Sequence, residues 1–298
     1  MNQVGHPGSG PPGFGSVPDV PGASWPVILR QISGVIRLEL KKTFLSRRGW
    51  WVYLLALAPV GLALLHSVSM EHIRWRGHAA GQDAKIFAAM FQTYFLHLGI
   101  FFGCVGIFAN LFRGEMLEKT LHYYLLTSIR REWLVAGKYL TGLLVAAVLF
   151  PASAGLSMYF MGRHQGAAWT DFLMHGPGLG QLLTYMGIAL LASIGYGAVF
   201  LIAGLFFRNP MIPAAVVWVW ENLNPFLPGL LQKISVIFYL KGLAPVSLPG
   251  VPPPFSFLVV DADPIRGAIA VPGLLILALA VLAYAAFAAR KAEIAYSE

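Results

Sequence analysis

Hydrophobic positions along the chain gather into six long runs, near residues 49–68, 86–112, 139–161, 180–207, 211–231 and 267–289, separated by shorter polar stretches. A hydrocarbon layer of about 30 Å takes roughly 20 helical residues, so each run is long enough to cross one. Lipid offers no partner to a bare backbone, and each run is therefore expected to be a helix that pairs its own amides. The pattern predicts an all-α polytopic membrane protein with six transmembrane helices. The fifth run is unlike the rest: Glu221, Asn222, Asn224, Pro225 and Pro228 interrupt it. Proline removes an amide donor and clashes with the preceding turn, so a helix is expected to break there and its far end to turn back or lie at the interface.

Three amphipathic stretches accompany the spans. From about Pro26 to Arg48, Leu29, Ile32, Ile36, Leu40 and Phe44 recur at helical spacing, with Arg30, Arg37, Lys41 and Arg48 on another face. This predicts an N-terminal helix lying in the membrane interface, with Trp50 and Trp51 at the headgroup level. Between the second and third spans, Leu117, Leu121, Tyr124, Leu125 and Ser128 share one helical face, while Glu115 and Lys119, and Glu118 and His122, stand four apart. A third, shorter piece, Gln232 to Leu243, precedes a Pro-rich stretch at 245–254. Residues 1–26, rich in Gly, Pro and Ser, read as a disordered cytoplasmic tail, and 27–298 as one transmembrane domain.

Composition agrees with the pattern: 57% of residues are hydrophobic and 11% charged. The net charge of +8 does not point to nucleic acid, because the basic residues flank spans and form no stripe beside stacking aromatics. Anionic membrane lipid is the expected partner. Lys and Arg collect in cytoplasmic loops, and with six spans they fall two to one on the side holding both termini. The reading is a multi-pass protein of the plasma (inner) membrane with cytoplasmic N- and C-termini. The single cysteine, Cys104, reads as a small core residue in the second span. His72, His78, His164 and His175 fall in outer connections without metal-ligand spacing and read as solvated, and no metal is expected. His97 is expected to bond to a neighbouring helix.

The stretch 113–138 resembles the cytoplasmic coupling segment of ABC type-2 permeases, the membrane subunits of exporters driven by separate cassette ATPases. The positions that carry the resemblance are Glu118, Thr120, Leu121, Leu125, Ile129, Arg131, Leu134, Gly137 and Lys138. Lys119, Ser128 and Arg130 depart from the family's usual glycine, proline and serine. The resemblance implies a cytoplasmic coupling helix through which Glu115, Glu118, Thr120, Leu121, Leu125, Arg131 and Lys138 receive force from an ABC ATP-binding subunit. It also implies a second permease copy or paralogue, forming a dimer, and short outer helices before the last span. The chain has no Gly-x-x-x-x-Gly-Lys-Ser/Thr loop to cradle phosphates. ATP and Mg are accordingly expected on the partner ATPase, with no cofactor or catalytic residue on this chain.

Glu221, with Asn222 and Asn224, is open to two readings: a group lining or gating an exit path, or an interfacial carboxylate bonded to amides freed by the broken helix. Gly187, Ala192, Ser193, Gly195 and Gly197 permit close helix packing, within the chain or at a dimer seam. Pro151 predicts a kink in the third span. Two alternatives to the permease stand beside it. A membrane enzyme acting on lipid or prenyl substrates would want clustered acidic motifs, and only Asp261 and Asp263 come near. A secondary transporter would want midplane ionisable groups and internal repeats.

Overall fold

The computed structural model describes residues 25–40, 49–73, 80–117, 131–207, 209–246 and 266–291, and among these all regular structure is helical. α1 (Trp25–Glu39) precedes α2 (Trp50–Ile73). The second span is composite. It runs through α3 (Ala80–Met90), a π-helical segment Phe91–Gly99, α4 (Ile100–Cys104), a second π segment Val105–Ala109, and α5 (Asn110–Leu117). Then come α6 (Arg131–Met161), the short α7 (Ala167–Met174), α8 (Gly178–Phe206), α9 (Met211–Leu223), α10 (Gly229–Gln232), α11 (Val236–Lys241) and α12 (Gly267–Lys291).

Five helical stretches are long and apolar enough to cross a membrane: Trp50–His72, Ala80–Gly114, Glu132–Gln165, Gly178–Phe206 and Gly267–Ala289. The fifth expected span, 211–231, is not one helix. α9 has 13 residues and gives way at Asn224–Phe226 to a 3-10 turn holding Pro225, then an extended Leu227 and Pro228, before α10. At 1.5 Å per residue α9 reaches about 20 Å, short of a full crossing. α8 and α12 nevertheless run in the same direction, since Gly195 faces Leu274 and Phe206 packs on Tyr284. The intervening segment must therefore bring the chain back toward its starting end.

The composite second span and α8 form the centre of the bundle, and α2 and α12 its edges. Close approach depends on glycine at the crossings. A Cβ on Gly204 would stand 2.5 Å from the Ala109 carbonyl oxygen, and one on Gly197 would enter the Phe108 ring. Gly195, Gly197, Ala192 and Ser193 are buried within the chain, whereas Gly187 meets nothing within 4 Å. Cys104 is buried in the same core. Nearer the start of the second span Phe87, Phe91, Phe95 and Tyr185 pack ring against ring, with Phe91 and Tyr185 centroids 4.7 Å apart. Such aromatic pairs favour tilted and edge arrangements of this kind.

Where the helical ladder is broken, side chains fill in. Pro59 lies inside α2 and has no amide hydrogen for the Leu55 carbonyl. The Tyr94 hydroxyl from the second span donates to that carbonyl at 3.3 Å. In the widened second π segment, Asn110 Nδ2 donates to the Gly106 carbonyl at 2.7 Å. α6 continues as a helix through Pro151, and the Ser153 hydroxyl donates to the Ala56 carbonyl of α2. Each bond gives a backbone carbonyl of a span a side-chain donor.

Candidate functional site

The end of the bundle from which the charged segment 113–138 departs is built around Lys138. Its side chain is 0% exposed. Nζ donates to Glu39 Oε1 at 2.6 Å and to the Leu111 carbonyl at 2.7 Å, and stands 5.1 Å over the Phe112 ring. One ammonium thus joins α1, α5 and α6. An unpaired charge at this depth would be costly, and the carboxylate, carbonyl and ring face together replace its hydration.

Local sequence explains how these groups meet. Ile28, Val35 and Glu39 are the buried positions of α1, one stripe at spacings of seven and four. A Cβ on Gly137 would stand 3.1 Å from Val35 Cγ1, so the glycine before Lys138 lets α1 lie close on α6. Trp25 and Trp133 close the far end of the contact edge to face, with centroids 6.2 Å apart.

The apolar face expected to meet lipid and the stripe buried against protein are adjacent sides of α1. Leu29 is exposed and Ile32 and Ile36 are half-buried, while Ile28 and Val35 face inward. Helix α1 packs on α6 through the Ile28, Val35 and Glu39 stripe. Glu39 was not singled out among the sequence candidates. Its signal was an acidic residue at the 28, 32, 35, 39 register of an otherwise apolar stripe.

Of the candidates in the charged segment, Lys138 is buried as described, Glu115 falls in α5 and Arg131 opens α6. Glu118, Thr120, Leu121 and Leu125 lie outside the described residues.

Glu221 occupies a second polar site, 3% exposed at the end of α9. Its carboxylate accepts the Ser235 hydroxyl at 2.6 Å, the Ile237 amide at 2.9 Å and the Val236 amide at 3.1 Å. These are the free donors at the start of α11, where a negative group is favoured. Asn224 is buried and donates to the Gln232 carbonyl at 3.2 Å, and Gln232 donates to Leu227 at 2.8 Å. Asn222 is exposed and bonds back to Trp218 at 2.7 Å. Glu221 and Asn224 therefore meet in the chain reversal between α9 and α11, and Asn222 points away from it.

The histidines divide. His175 is exposed beside Asp171, and His72 Nδ1 lies 3.0 Å from the Val68 carbonyl. His78 lies outside the described residues. His97 Nδ1 lies 2.7 Å from the Gln92 carbonyl of its own helix, and the bond to a neighbour is made by its backbone, which accepts Trp218 Nε1 at 3.1 Å. His164 departs from the solvated reading, for its side chain is only 6% exposed. The turn carrying it folds back against the bundle instead of projecting from it.

No protein-family model matches this chain, and no curated protein matches its sequence.

Proposed function

We propose that the chain is the permease subunit of an ATP-driven exporter of the ABC type-2 kind, working as a dimer with a second copy or paralogue in the plasma membrane. The segment 113–138 would dock on a separate ATP-binding subunit, which holds ATP and Mg. The observation that carries the reading is the Lys138 cluster. The two helical legs of the charged segment, α5 and α6, are tied to each other and to α1 by one buried ammonium. A push on the segment would then move the second and third spans with α1 as a unit, because a buried ion pair resists separation of its partners.

The two π segments of the second span add to this. Such widened turns are rare and frequently mark functional sites, and here they lie in the span that enters the charged segment. Both termini would be cytoplasmic in this arrangement.

The test is purification of the tagged full chain from its native membranes. A co-eluting chain that carries a phosphate-binding loop and hydrolyses ATP is the expected result. An eluate without ATP hydrolysis, from membranes in which the chain is folded and functional, would overturn the reading in favour of a secondary transporter or membrane enzyme.

A further inference from the structure

At the end of the bundle opposite Lys138, His66 of α2, Asp83 of α3 and His164 of the turn after α6 bring their ligand atoms within 4.8 Å of one another. His66 Nε2 is 3.5 Å from Asp83 Oδ1, and His164 Nε2 is 3.5 Å from Asp83 Oδ2. We propose that these three side chains form a binding site for one divalent transition-metal ion of the zinc class.

The spacing is too long for hydrogen bonds. It fits ligands around a shared ion: with metal–ligand bonds of about 2.0 Å, the edge of a tetrahedron is about 3.3 Å. His66 Nε2, which faces Asp83, is buried and has no hydrogen-bond partner among the described residues. Buried polar atoms are seldom left so, and each such vacancy calls for a reason. Asp83 is 1% exposed, and a buried carboxylate between two imidazoles calls for a cation.

The surroundings are built to hold the cluster. Gln165 Nε2 donates to Asp83 Oδ2, an outer-shell bond of the sort that fixes a ligating carboxylate. The 3-10 turn Arg163–Gln165 is followed by Gly166 at φ +58, a left-handed backbone that reverses the chain and suits glycine. Gly162 lies flat on the Trp169 ring, where a Cβ would fall 2.1 Å from a ring carbon. Turn and ring together press His164 and Gln165 back toward Asp83.

Two imidazoles and one carboxylate select the ion class. Magnesium and calcium take six or more oxygens, whereas zinc, cobalt and nickel accept mixed nitrogen and oxygen sets with a position open to water. The ion would staple α2, α3 and the α6–α7 turn, adding to the Gln165–Asp83 bond between the last two. Sequence spacing gave no hint, since His66 and His164 are 98 positions apart.

The experiment uses the full chain in detergent, with an affinity tag free of histidine, treated with chelator and then titrated with Co²⁺ and Zn²⁺. Expected are about one Co²⁺ per chain with the intense visible absorption of low coordination number, displacement by Zn²⁺, and a raised thermal midpoint with Zn²⁺. His66→Ala and His164→Ala should abolish the absorption, and Gln165→Ala should weaken binding about 10–100-fold. His72→Ala and His175→Ala, at exposed positions, should leave it unchanged. Should an alanine variant fail to fold, His66→Gln and the wild-type stoichiometry still decide. Wild-type protein that binds no stoichiometric ion, or binding that survives loss of His66 and His164, overturns the site.

Discussion

Glu39 Oε1 and Lys138 Nζ stand 2.6 Å apart with 1% and 0% of their side chains exposed, 99 positions apart in sequence. Removing one member of such a pair leaves the other charged and buried, at a cost of about 3–5 kcal/mol. Lys138→Met and Glu39→Gln should each lower the thermal midpoint of the detergent-solubilised chain sharply. The double variant should be less destabilised than the sum of the two. Strict additivity would mean that the two groups do not interact.

How much of this was legible in the sequence can be judged at that pair. Lys138 was visible because the Gly-Lys at the end of the charged segment matched a motif, and Gly137 because glycine before it did too. Glu39 was not, because helical spacing was read for where apolar residues could meet lipid, while the helix buries the side that meets α6. The break at Asn224–Pro228 followed from proline chemistry, and the expectation of a sixth full span failed for the same reason: a helix ended early cannot reach across. Histidine spacing along the chain was no guide to a turn that folds back on α3.

Pro59 offers a test of backbone satisfaction within a span. Its missing amide leaves the Leu55 carbonyl to the Tyr94 hydroxyl at 3.3 Å. Tyr94→Phe should cost about 1 kcal/mol in the wild type. In a Pro59→Ala background the helix can supply its own donor, and Tyr94→Phe should then be nearly neutral. Thermal unfolding of the four proteins measures the difference. An equal cost in both backgrounds would show that the hydroxyl serves another purpose.

Close helix crossing predicts a contrast between two glycines of α8. A Cβ at Gly204 would meet backbone of Ala109, which cannot swing aside, whereas Gly187 has nothing within 4 Å. Gly204→Ala should destabilise by about 1–3 kcal/mol through overpacking. Gly187→Ala should be neutral or slightly stabilising, as alanine is the better helix former. Unfolding curves that rank the two the other way would contradict the packing.

Glu221 accepts three hydrogen bonds from the start of α11, two of them backbone amides. Glu221→Gln keeps one acceptor oxygen and turns an N–H toward a donor, so at least one amide loses its partner. The expected cost is about 1–3 kcal/mol, with faster hydrogen exchange at Val236 and Ile237. Ser235→Ala removes a single donor and should cost less. Exchange at those amides that is unchanged by Glu221→Gln would mean that the carboxylate does not hold α11.

The proposed docking of 113–138 on an ATP-binding subunit makes its acidic residues the sensitive ones. Glu118→Lys reverses a charge in a segment expected to face the partner, and complementary charges govern encounter and partner choice at such surfaces. Association with the co-eluting ATPase should fall, and more steeply at low salt, where charge interactions are least screened. If the segment serves docking and not the fold, stability of the isolated chain should change by no more than about 0.5 kcal/mol. Glu71→Lys, an exposed glutamate at the other end of α2, provides the matched control and should leave association intact. If the two reversals act alike, whether both weaken the complex or neither does, the segment has no special part in docking. The Lys138 cluster would then be an anchor for α1 alone.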